Sequence, residues 1–546
     1  MYTDIEEKTK SLKEKIAKEV FVSGDNEKII GPNGEKQKWL FDFRKILFDP
    51  ESLNTIAELF WDIYKDQYPF QIGGLETASI PIFSAIVTRS KDFGKPINGF
   101  FIRKERKSTG LQKIIEGKLN SYPVILIDDL INTGGSIKRQ LSLMENEGVE
   151  VRSAFSILCF RDKEFYPFDI SSLFSLKDFN IPLSEKKEKK KELQFEVLWH
   201  FKNENPNYFY TNPKSRPAYA FSGVCFGTDD KKFVALNSSS GKMKWEYKVG
   251  RTSKGKSIFS SPSIHKNIVY FGAYDGNVYA LNTENGERIW KFTEADWVGS
   301  SPYVSPDLNS LFVGLEFGLL KQRGGIVSLD LESGKKKWQY TFKGLAHSSP
   351  AYSKKYNAVA IGSNDFNVYL LDAKNGKLKW SFKTGGEVKA SFSIDEDRGR
   401  IVFGSHDGGF YVLNIEDGAL IFKYQTDDII YSTPLMYDGE VIFGSYDKYI
   451  YSLNLNSFKL SWKFDAGSKV SADPIVVDGR FYVGAHNGIF YVLNRGGENI
   501  GEFFAGERIV NAARYDEYKK RLYLPTFAGE IYCLKENDLT KPPKSA

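Results

Sequence analysis

The feature that most constrains this chain is an internal repeat that begins near residue 195 and continues to its end. Three units show it clearly: FGAYDGNVYALNTENGERIWKF at 271–292, IGSNDFNVYLLDAKNGKLKWSF at 361–382 and FGSYDKYIYSLNLNSFKLSWKF at 443–464. Each unit has an apolar segment, a DG-like turn, an alternating segment, an NG-like turn and a segment that carries Trp. The turn dipeptides favour positive φ, and the alternation favours strands with one buried face. Each unit is therefore predicted to be a meander of antiparallel strands.

The alternating strand recurs eight times, at intervals of about 40 to 48 residues, which suits a blade of four strands. Its copies are FVAL at 233, VYAL at 278, IVSL at 326, VYLL at 368, FYVL at 410, IYSL at 450, FYVL at 490 and IYCL at 531. The last unit lacks its Trp-type strand, while an unpaired VLWHF at 197–201 precedes the first unit. Because ring closure hides two open sheet edges, residues 195–546 are predicted to form an eight-bladed, all-β propeller closed by strand 197–201.

Most of the tryptophans occupy one position of the repeat. Six of the nine lie there: Trp199, Trp245, Trp290, Trp338, Trp380 and Trp462. The fifth and seventh units carry Phe422 and Glu502 instead. A Trp stripe at repeat spacing favours packing within or between blades over ligand binding.

Residues 1–182 follow a different pattern, in which helical segments alternate with short apolar runs. SLNTIAELFWDIY is typical of a helix, whereas YPVILIDDL and VRSAFSILCF are typical of buried strands. This order predicts an α/β domain, a parallel sheet with helices on both faces. Residues 183–194 are rich in Lys and Glu without an apolar face, and they are predicted to be a charged linker.

The strongest chemical signal is VILIDDLINTGGS at 124–136, an apolar strand that ends in two acids and a loop that opens a helix. Such a loop presents backbone N–H groups and a helix dipole to a phosphate. Asp128 and Asp129 would repel a phosphate, so they are expected to meet hydroxyls or a metal. The segment resembles the signature of type I phosphoribosyltransferases. The resemblance implies that these acids bind the ribose hydroxyls of phosphoribosyl pyrophosphate (PRPP), and that the loop binds its 5-phosphate through Asn132, Thr133, Gly134, Gly135 and Ser136.

A basic segment, FIRKERKSTGLQKIIEG at 101–117, resembles the catalytic loop of orotate phosphoribosyltransferases. The resemblance assigns Arg103, Lys104 and Lys107 to the pyrophosphate as catalytic cations, along with the two acids. The His that usually follows the last Lys by two places is Thr109 here. The alternative is a solvated basic loop without a catalytic role.

Two weaker segments resemble other parts of the same family. IGGLETASIPIFSAI at 72–86 resembles the pyrophosphate-binding turn, in which Gly73 and Gly74 would free backbone amides, although ordinary turn chemistry also explains them. Residues 29–53 resemble the hood over the base, so Lys38, Phe41 and the more distant Arg161 are candidate base-binding residues. Trp39 and Phe41 also alternate as strand core residues do.

These features predict transfer of phosphoribose from PRPP to a nitrogen of a base, orotate or a related pyrimidine, with release of pyrophosphate. The resemblance implies Mg²⁺ carried by PRPP rather than by protein side chains, and a homodimer formed by the first domain. The propeller is expected to be a binding platform for an unknown protein or small molecule. The alternative is a regulatory or interaction protein that binds PRPP, or one that modifies an unconventional acceptor recruited by the propeller.

Composition limits the remaining possibilities. The net charge of +6 over 546 residues gives no argument for nucleic acid or a membrane surface. The three cysteines lie far apart in apolar runs, and no long apolar stretch is present, so a cytoplasmic protein is expected. The propeller repeats resemble those of quinoprotein dehydrogenases and of outer-membrane assembly lipoproteins, but no adjacent cysteines support quinone binding. The five histidines lack metal-ligand spacing.

Overall fold

The computed structural model describes residues 2–23, 29, 38–103, 113–181, 192–204, 206, 215–220, 223–250, 257–318 and 323–539. The chain divides into two compact units, Met1–Lys189 and Lys190–Ala546. No helix in the described ranges is long and apolar enough to cross a membrane.

The first unit combines four α-helices with eight strands among its described residues. The helices are α1 Tyr2–Lys15, α2 Pro50–Tyr64, α3 Ser79–Arg89 and α4 Gly135–Asn146. The strands are β1 Phe21–Ser23, β2 Trp39–Phe41, β3 Gln71–Leu75, β4 Gly99–Ile102, β5 Ile115–Gly117, β6 Val124–Ile131, β7 Val151–Cys159 and β8 Ile170–Ser175. Strands β1 and β2 form a separate antiparallel pair.

The main sheet has the strand order β5-β4-β3-β6-β7-β8, and only the β4–β5 pair is antiparallel. Alternate side chains of β6 enter two different cores. Ile125 and Ile127 pack in the core that also holds residues of α2 and α3, whereas Val124 and Leu126 pack in the core that holds residues of α4. Helices therefore cover both faces of this sheet, as the sequence predicts.

Helix α2 shows how local sequence fixes an element of this core. The Asp49 side chain accepts a hydrogen bond from the backbone N–H of Ser52 at 2.9 Å, and Pro50 takes the first helical position, where its missing N–H costs nothing. Phe60 and Trp61, both 0 % exposed, lie on the apolar face of the helix. The Trp61 indole donates to the carbonyl of Ile86, which ties α2 to α3.

The second unit is all β in the part that the structure describes, apart from one short 3₁₀ turn at Pro306–Leu308. Six four-stranded antiparallel sheets follow one another along the chain. Their strands are β10 Ala218–Ala220, β11 Gly223–Gly227, β12 Lys232–Asn237 and β13 Met243–Lys248; β14 Ser263–His265, β15 Ile268–Gly272, β16 Asn277–Asn282 and β17 Arg288–Thr293; β18 Tyr303–Ser305, β19 Ser310–Phe317, β20 Arg323–Asp330 and β21 Lys336–Phe342; β22 Ala351–Ser353, β23 Ala358–Gly362, β24 Asn367–Asp372 and β25 Leu378–Lys383; β26 Ser393–Asp395, β27 Arg400–Gly404, β28 Gly409–Asn414 and β29 Leu420–Gln425; β30 Leu435–Tyr437, β31 Glu440–Gly444, β32 Tyr449–Asn454 and β33 Lys459–Asp465.

The remaining strands form one eight-stranded sheet, with the order β34-β35-β36-β37-β9-β40-β39-β38. Their bounds are β9 Leu193–Phe201, β34 Ile475–Val477, β35 Arg480–Gly484, β36 Ile489–Leu493, β37 Asn499–Phe504, β38 Arg514–Asp516, β39 Arg521–Pro525 and β40 Ile531–Asp538. The sheet is two four-stranded meanders, because the only strand pairing between its halves in the described residues joins Gly501 to Leu193. Strand β9 runs antiparallel to β40, with Trp199 opposite Cys533 and Phe201 opposite Ile531.

The Trp stripe joins neighbouring sheets, which confirms the packing interpretation. The Trp290 indole donates to the carbonyl of Leu331 in the next repeat at 2.9 Å. The same bond recurs for Trp199, Trp245, Trp338, Trp380 and Trp462, at 2.9 to 3.1 Å. The Trp290 ring also covers Gly334, whose φ is +67° and where a Cβ would lie 2.6 Å from the ring. In the fifth unit Phe422 replaces Trp and stacks on Phe458 at 4.8 Å.

Candidate active site

The predicted site segments meet at one edge of the first unit's sheet. Strands β3, β4, β6 and β7 are parallel, so their carboxyl ends lie on the same side. Strand β3 connects through α3 to β4 on one flank, whereas β6 connects through α4 to β7 on the other. Strand order thus reverses between β3 and β6. Open α/β sheets bind ligands in the crevice at such a switch point.

Asp128 and Asp129 lie near the carboxyl end of β6, and both are half-buried. One Asp128 oxygen accepts from the Ser136 hydroxyl at 2.7 Å, and the other accepts from the backbone N–H of Asp129 at 3.1 Å. Burial, reinforced by the charge of Asp129, raises the pKa of Asp128 to about 7. Burial also raises the pKa of Asp129, and the nearby Arg44 guanidinium opposes that rise. The pair is therefore held where a hydroxyl donor or a cation would relieve an unfavourable charge.

The loop between β6 and α4 has the geometry of an anion cradle. Gly134 precedes the helix with φ +78°, a left-handed conformation that favours glycine. No side chain caps the helix start, so the first-turn N–H groups remain available to a ligand. Asn132 and Gly135 are exposed, while Thr133 and Ser136 are half-buried. All five predicted phosphate-binding residues are thus together at this loop.

Two aromatic residues that sequence reasoning missed hold the loop from behind. The Tyr166 hydroxyl donates to the backbone carbonyl of Asn132 at 2.7 Å and accepts from the Cys159 thiol at 3.2 Å. The Tyr166 and Phe168 rings approach Gly134 so closely that a Cβ there would lie 3.1 to 3.2 Å away. No local motif marks these residues, because they reach the loop only through the fold.

Gly73 and Gly74 lie inside β3, where they pair with β4 and β6. A Cβ on Gly73 would lie 2.3 Å from the Phe100 ring, and one on Gly74 would lie 2.5 Å from the Ser79 hydroxyl oxygen. Close packing therefore gives a reason for both glycines that does not involve a ligand, and their role in binding pyrophosphate stays a prediction. The turn that follows them is fixed by Ser79, which is fully buried and donates to the carbonyl of Leu75. Ser79 is a third residue that sequence reasoning missed.

Arg103 directly follows β4 at the same sheet edge, but carboxylates already engage it. Its guanidinium contacts Glu116 at 3.0 Å and Glu76, which follows β3, at 3.2 Å. The Arg103 side chain is only 16 % exposed. Lys104, Lys107 and Thr109 lie outside the described residues. The predicted cationic core is therefore described only at its first member.

The three candidate base-binding residues differ in their surroundings. Phe41 is 5 % exposed and packs against the rings of Phe21 and Phe179, so for this residue the structure favours the strand-core alternative. Lys38 is exposed just before β2. Arg161 is half-buried beyond β7, at the same edge as the acids, with its guanidinium 4.3 Å from the centre of the Phe165 ring.

No group of three or more His, Cys, Asp or Glu among the described residues is arranged to hold a metal ion. The two adjacent carboxylates nevertheless supply hard oxygen donors of the kind that Mg²⁺ prefers. Burial raises the pKa of both carboxyl groups, so a bound cation would stabilise their ionised form. The pair fits a cation that arrives with a phosphorylated substrate.

Comparison with known proteins supports both halves of this description. The family described as "Phosphoribosyl transferase domain" matches residues 44–183. An orotate phosphoribosyltransferase of Bradyrhizobium sp. (strain ORS 278) is 32 % identical over 131 residues, which are 23 % of this chain and 71 % of that protein. The orotate phosphoribosyltransferase of Aquifex aeolicus (strain VF5) is 32 % identical over 127 residues, which are 23 % of this chain and 69 % of that protein.

The second unit has relatives of another kind. The family described as "Outer membrane protein assembly factor BamB" matches residues 196–360, 274–395 and 364–502. The crystal structure of BamB from Moraxella catarrhalis aligns with a TM-score of 0.50 at 17 % identity, covering 63 % of this chain and 98 % of that one. A europium-containing methanol dehydrogenase aligns with a TM-score of 0.52 at 11 % identity, and the alignment covers 62 % of this chain and 93 % of that one. The chain thus belongs to the phosphoribosyltransferase family through its first unit, and to the BamB family of PQQ-like repeat β-propellers through its second.

Proposed function

We propose that the first unit transfers phosphoribose from PRPP to a ring nitrogen of orotate or a related pyrimidine and releases pyrophosphate. The observation that carries the proposal is the Asp128–Asp129 pair beside an uncapped helix start with a left-handed Gly134. A sugar 5-phosphate needs two kinds of partner. Carboxylates accept hydrogen bonds from its ribose hydroxyls, and the N–H groups of a loop donate hydrogen bonds to its phosphate. The orotate phosphoribosyltransferase relatives support the choice of acceptor.

In this reaction the bond between C1 of the ribose and the pyrophosphate oxygen breaks, and a bond from C1 to the base nitrogen forms. Pyrophosphate leaves with the bonding electron pair, and the proton of the base nitrogen passes to the departing pyrophosphate or to solvent. Charge therefore accumulates on the leaving group, where a cationic loop lowers the barrier. We assign Lys104 and Lys107 to that task. Arg103 would join them only after leaving Glu76 and Glu116. Mg²⁺ chelated by PRPP would supply further positive charge beside Asp128 and Asp129.

The test is a steady-state assay with PRPP and Mg²⁺ that follows both orotate consumption and pyrophosphate release. Lys104→Ala is expected to lower kcat by orders of magnitude with a smaller change in the Kd for PRPP, because the lysine acts on departing charge. Lys65→Ala, an exposed lysine paired with Asp62 on α2, is the matched control. An unchanged kcat in Lys104→Ala would remove this lysine from the mechanism.

A second candidate is a regulatory protein that binds PRPP or modifies an unconventional acceptor brought by the second unit. The double ion pair of Arg103 favours it, because a catalytic cation held by two carboxylates is not ready to meet pyrophosphate. Pyrophosphate release across a panel of bases, with and without cell extract, distinguishes the two. Release with orotate alone supports the enzyme, and release only with extract supports another acceptor.

We infer that the second unit is an eight-bladed propeller that works as a binding platform. Six four-stranded sheets and an eight-stranded sheet made of two meanders support the blade count. Closure is supported by a core in which Phe226 and Leu236 of the first sheet pack with Tyr523 and Cys533 of the last. We also propose a cytoplasmic protein, supported by three buried free thiols, and a homodimer, which the mass measured by light scattering would test.

A further inference from the structure

The second unit encloses a cavity of ≈380 Å³ lined by the loops that lead into the innermost strands of the successive sheets. Ligand pockets span roughly 300–1,000 Å³, so the cavity lies in the range for a small organic molecule. It is far too large for a single ion. Its walls combine serine hydroxyls, tyrosine rings and a few charged side chains.

A chain of hydrogen bonds runs around one side of this cavity. The backbone N–H of Arg216 donates to the Ser261 hydroxyl oxygen at 3.0 Å, that of Ser261 to Ser301 at 2.9 Å, and that of Ser301 to Ser349 at 2.9 Å. Each hydroxyl oxygen thus acts as an acceptor and keeps its own hydrogen. No hydrogen bond between described residues uses any of these three hydrogens, so they remain donors at the cavity wall.

A buried carboxylate supports two of the lining residues from behind. Glu316 is 0 % exposed, and one of its carboxylate oxygens faces the backbone N–H of Gly299 and His347 Nδ1, each at 3.3 Å. Gly299 and His347 line the cavity, whereas Glu316 lies behind them. The carboxylate therefore positions the wall and does not itself face a ligand.

The lining differs from sheet to sheet at one position of the repeat. This position lies two residues before Ser261, Ser301, Ser349, Ser391, Thr433 and Asp473, and it holds six different residues: Phe259, Gly299, His347, Lys389, Tyr431 and Ser471. Structural positions of the same repeat, such as the Trp stripe, are nearly uniform. Repeat proteins vary most on the surface that binds.

The charges of the cavity wall decide the kind of ligand. Lys389 is paired with Glu387 at 2.6 Å, and His347 with Glu316 at 3.3 Å. Burial raises the pKa of the Asp473 carboxyl, and the positive charge of Arg216 opposes that rise. Each charged lining residue therefore has an opposite charge beside it. A ligand with a large net charge would gain little here, whereas the oxygens of a ligand with many hydroxyls could accept from the serine donors.

We propose that this cavity is a binding site for a neutral, polyhydroxylated small molecule, a sugar or a nucleoside. The Ser261, Ser301 and Ser349 hydroxyls donate to its oxygens, and the Tyr274 and Tyr431 rings cover its apolar faces. The proposal deepens the inferred role of the second unit as a platform. Its test contains no PRPP, so its failure is distinguishable from failure of the transfer reaction.

The test is saturation-transfer NMR on the full chain with ribose, glucose, maltose, uridine and uridine monophosphate as separate probes. We expect transfer from at least one neutral probe, and the nucleoside and sugar arms identify which source of hydroxyls is bound. At the cavity, measured as the binding that Ser301→Ala removes, uridine monophosphate should bind no more tightly than uridine. Tenfold tighter binding of the monophosphate that is lost in Ser301→Ala would overturn the assignment of a neutral ligand.

Two variants test the site itself. Ser301→Ala and Ser349→Ala are each expected to weaken binding at least fivefold, while Ser240→Ala, an exposed serine in a turn of the first sheet, leaves it unchanged. Thermal unfolding of each variant checks the fold, and Ser349→Ala serves if Ser301→Ala is unstable. Absence of transfer from every neutral probe, or equal transfer in both variants and the wild type, would show a hydrated channel only and overturn the proposal.

Discussion

Replacing Asp128 by Asn is expected to stabilise the ligand-free protein above neutral pH while it removes PRPP binding. The Asp128 carboxylate is half-buried next to Asp129, and these surroundings raise its pKa from 3.8 to about 7. One pKa unit corresponds to about 1.4 kcal/mol, so ionised Asp128 costs the folded state a few kcal/mol, at most about 4. Asn keeps the shape of the side chain without that charge.

The sign of the pH dependence follows from the direction of the shift. Because the folded-state pKa lies above the unfolded value, the folded state holds the extra proton between pH 3.8 and about 7. Wild-type stability therefore falls as pH rises through this window. The Asn variant has no such loss, so its advantage should grow from near zero at about pH 4 to a few kcal/mol at about pH 8.

The assay is urea unfolding of the full chain at a series of pH values, using the transition that Mg²⁺ and PRPP shift in the wild type. Asp62→Asn, which removes an exposed carboxylate of α2, is the matched control and should change stability by less than about 0.5 kcal/mol. If the difference between Asp128→Asn and wild type is the same at both ends of the pH range, or if Asn destabilises the protein at about pH 8, the reasoning about this carboxylate is wrong.

Three further substitutions test how the site is held. Tyr166→Phe removes the hydrogen bond to the Asn132 carbonyl; it should cost about 1–2 kcal/mol and raise KM for PRPP more than it lowers kcat, and an unchanged KM in steady-state kinetics would count against the role. Gly134→Ala forces a side chain into a left-handed conformation at a cost of about 1–2 kcal/mol, so calorimetric titration should show weaker PRPP binding, whereas equal affinity would refute the cradle. Glu76→Gln releases Arg103 from one of its two ion pairs and removes a negative charge from the turn after β3. Calorimetry should show that PRPP binds severalfold more tightly to this variant, and weaker binding would contradict the expectation.

Much of the fold follows from local sequence signals. The second unit's meanders are visible because turn dipeptides and alternating strands recur at a fixed interval, and the Trp position marks where one sheet packs on the next. The sheet of the first unit is visible because short continuous apolar runs rich in β-branched residues, such as that of β6, favour buried strands. In both cases short-range chemistry and long-range packing require the same residues.

The site was predictable only where one segment holds all its parts. The loop from Asn132 to Ser136 forms a local structure, so its glycines and polar side chains could be located from the sequence. Tyr166 reaches the site through tertiary packing, and nothing near it in the chain marks that role. Ser79 lies inside the predicted turn segment 72–86, but its burial and its bond to the Leu75 carbonyl are visible only in the fold. Phe41 illustrates the converse, because an alternating aromatic strand is compatible with both a base contact and a core, and burial decides between them.

The most direct test of the central claim is calorimetric titration of PRPP with Mg²⁺ into the full chain and into Asp128→Asn/Asp129→Asn. The double variant keeps the loop and the helix start but loses both carboxylates. Binding in the wild type, with at least a hundredfold loss in the double variant, is the predicted result. Absence of PRPP binding in the wild type, or equal affinity in the two proteins, would contradict a PRPP site at the end of β6.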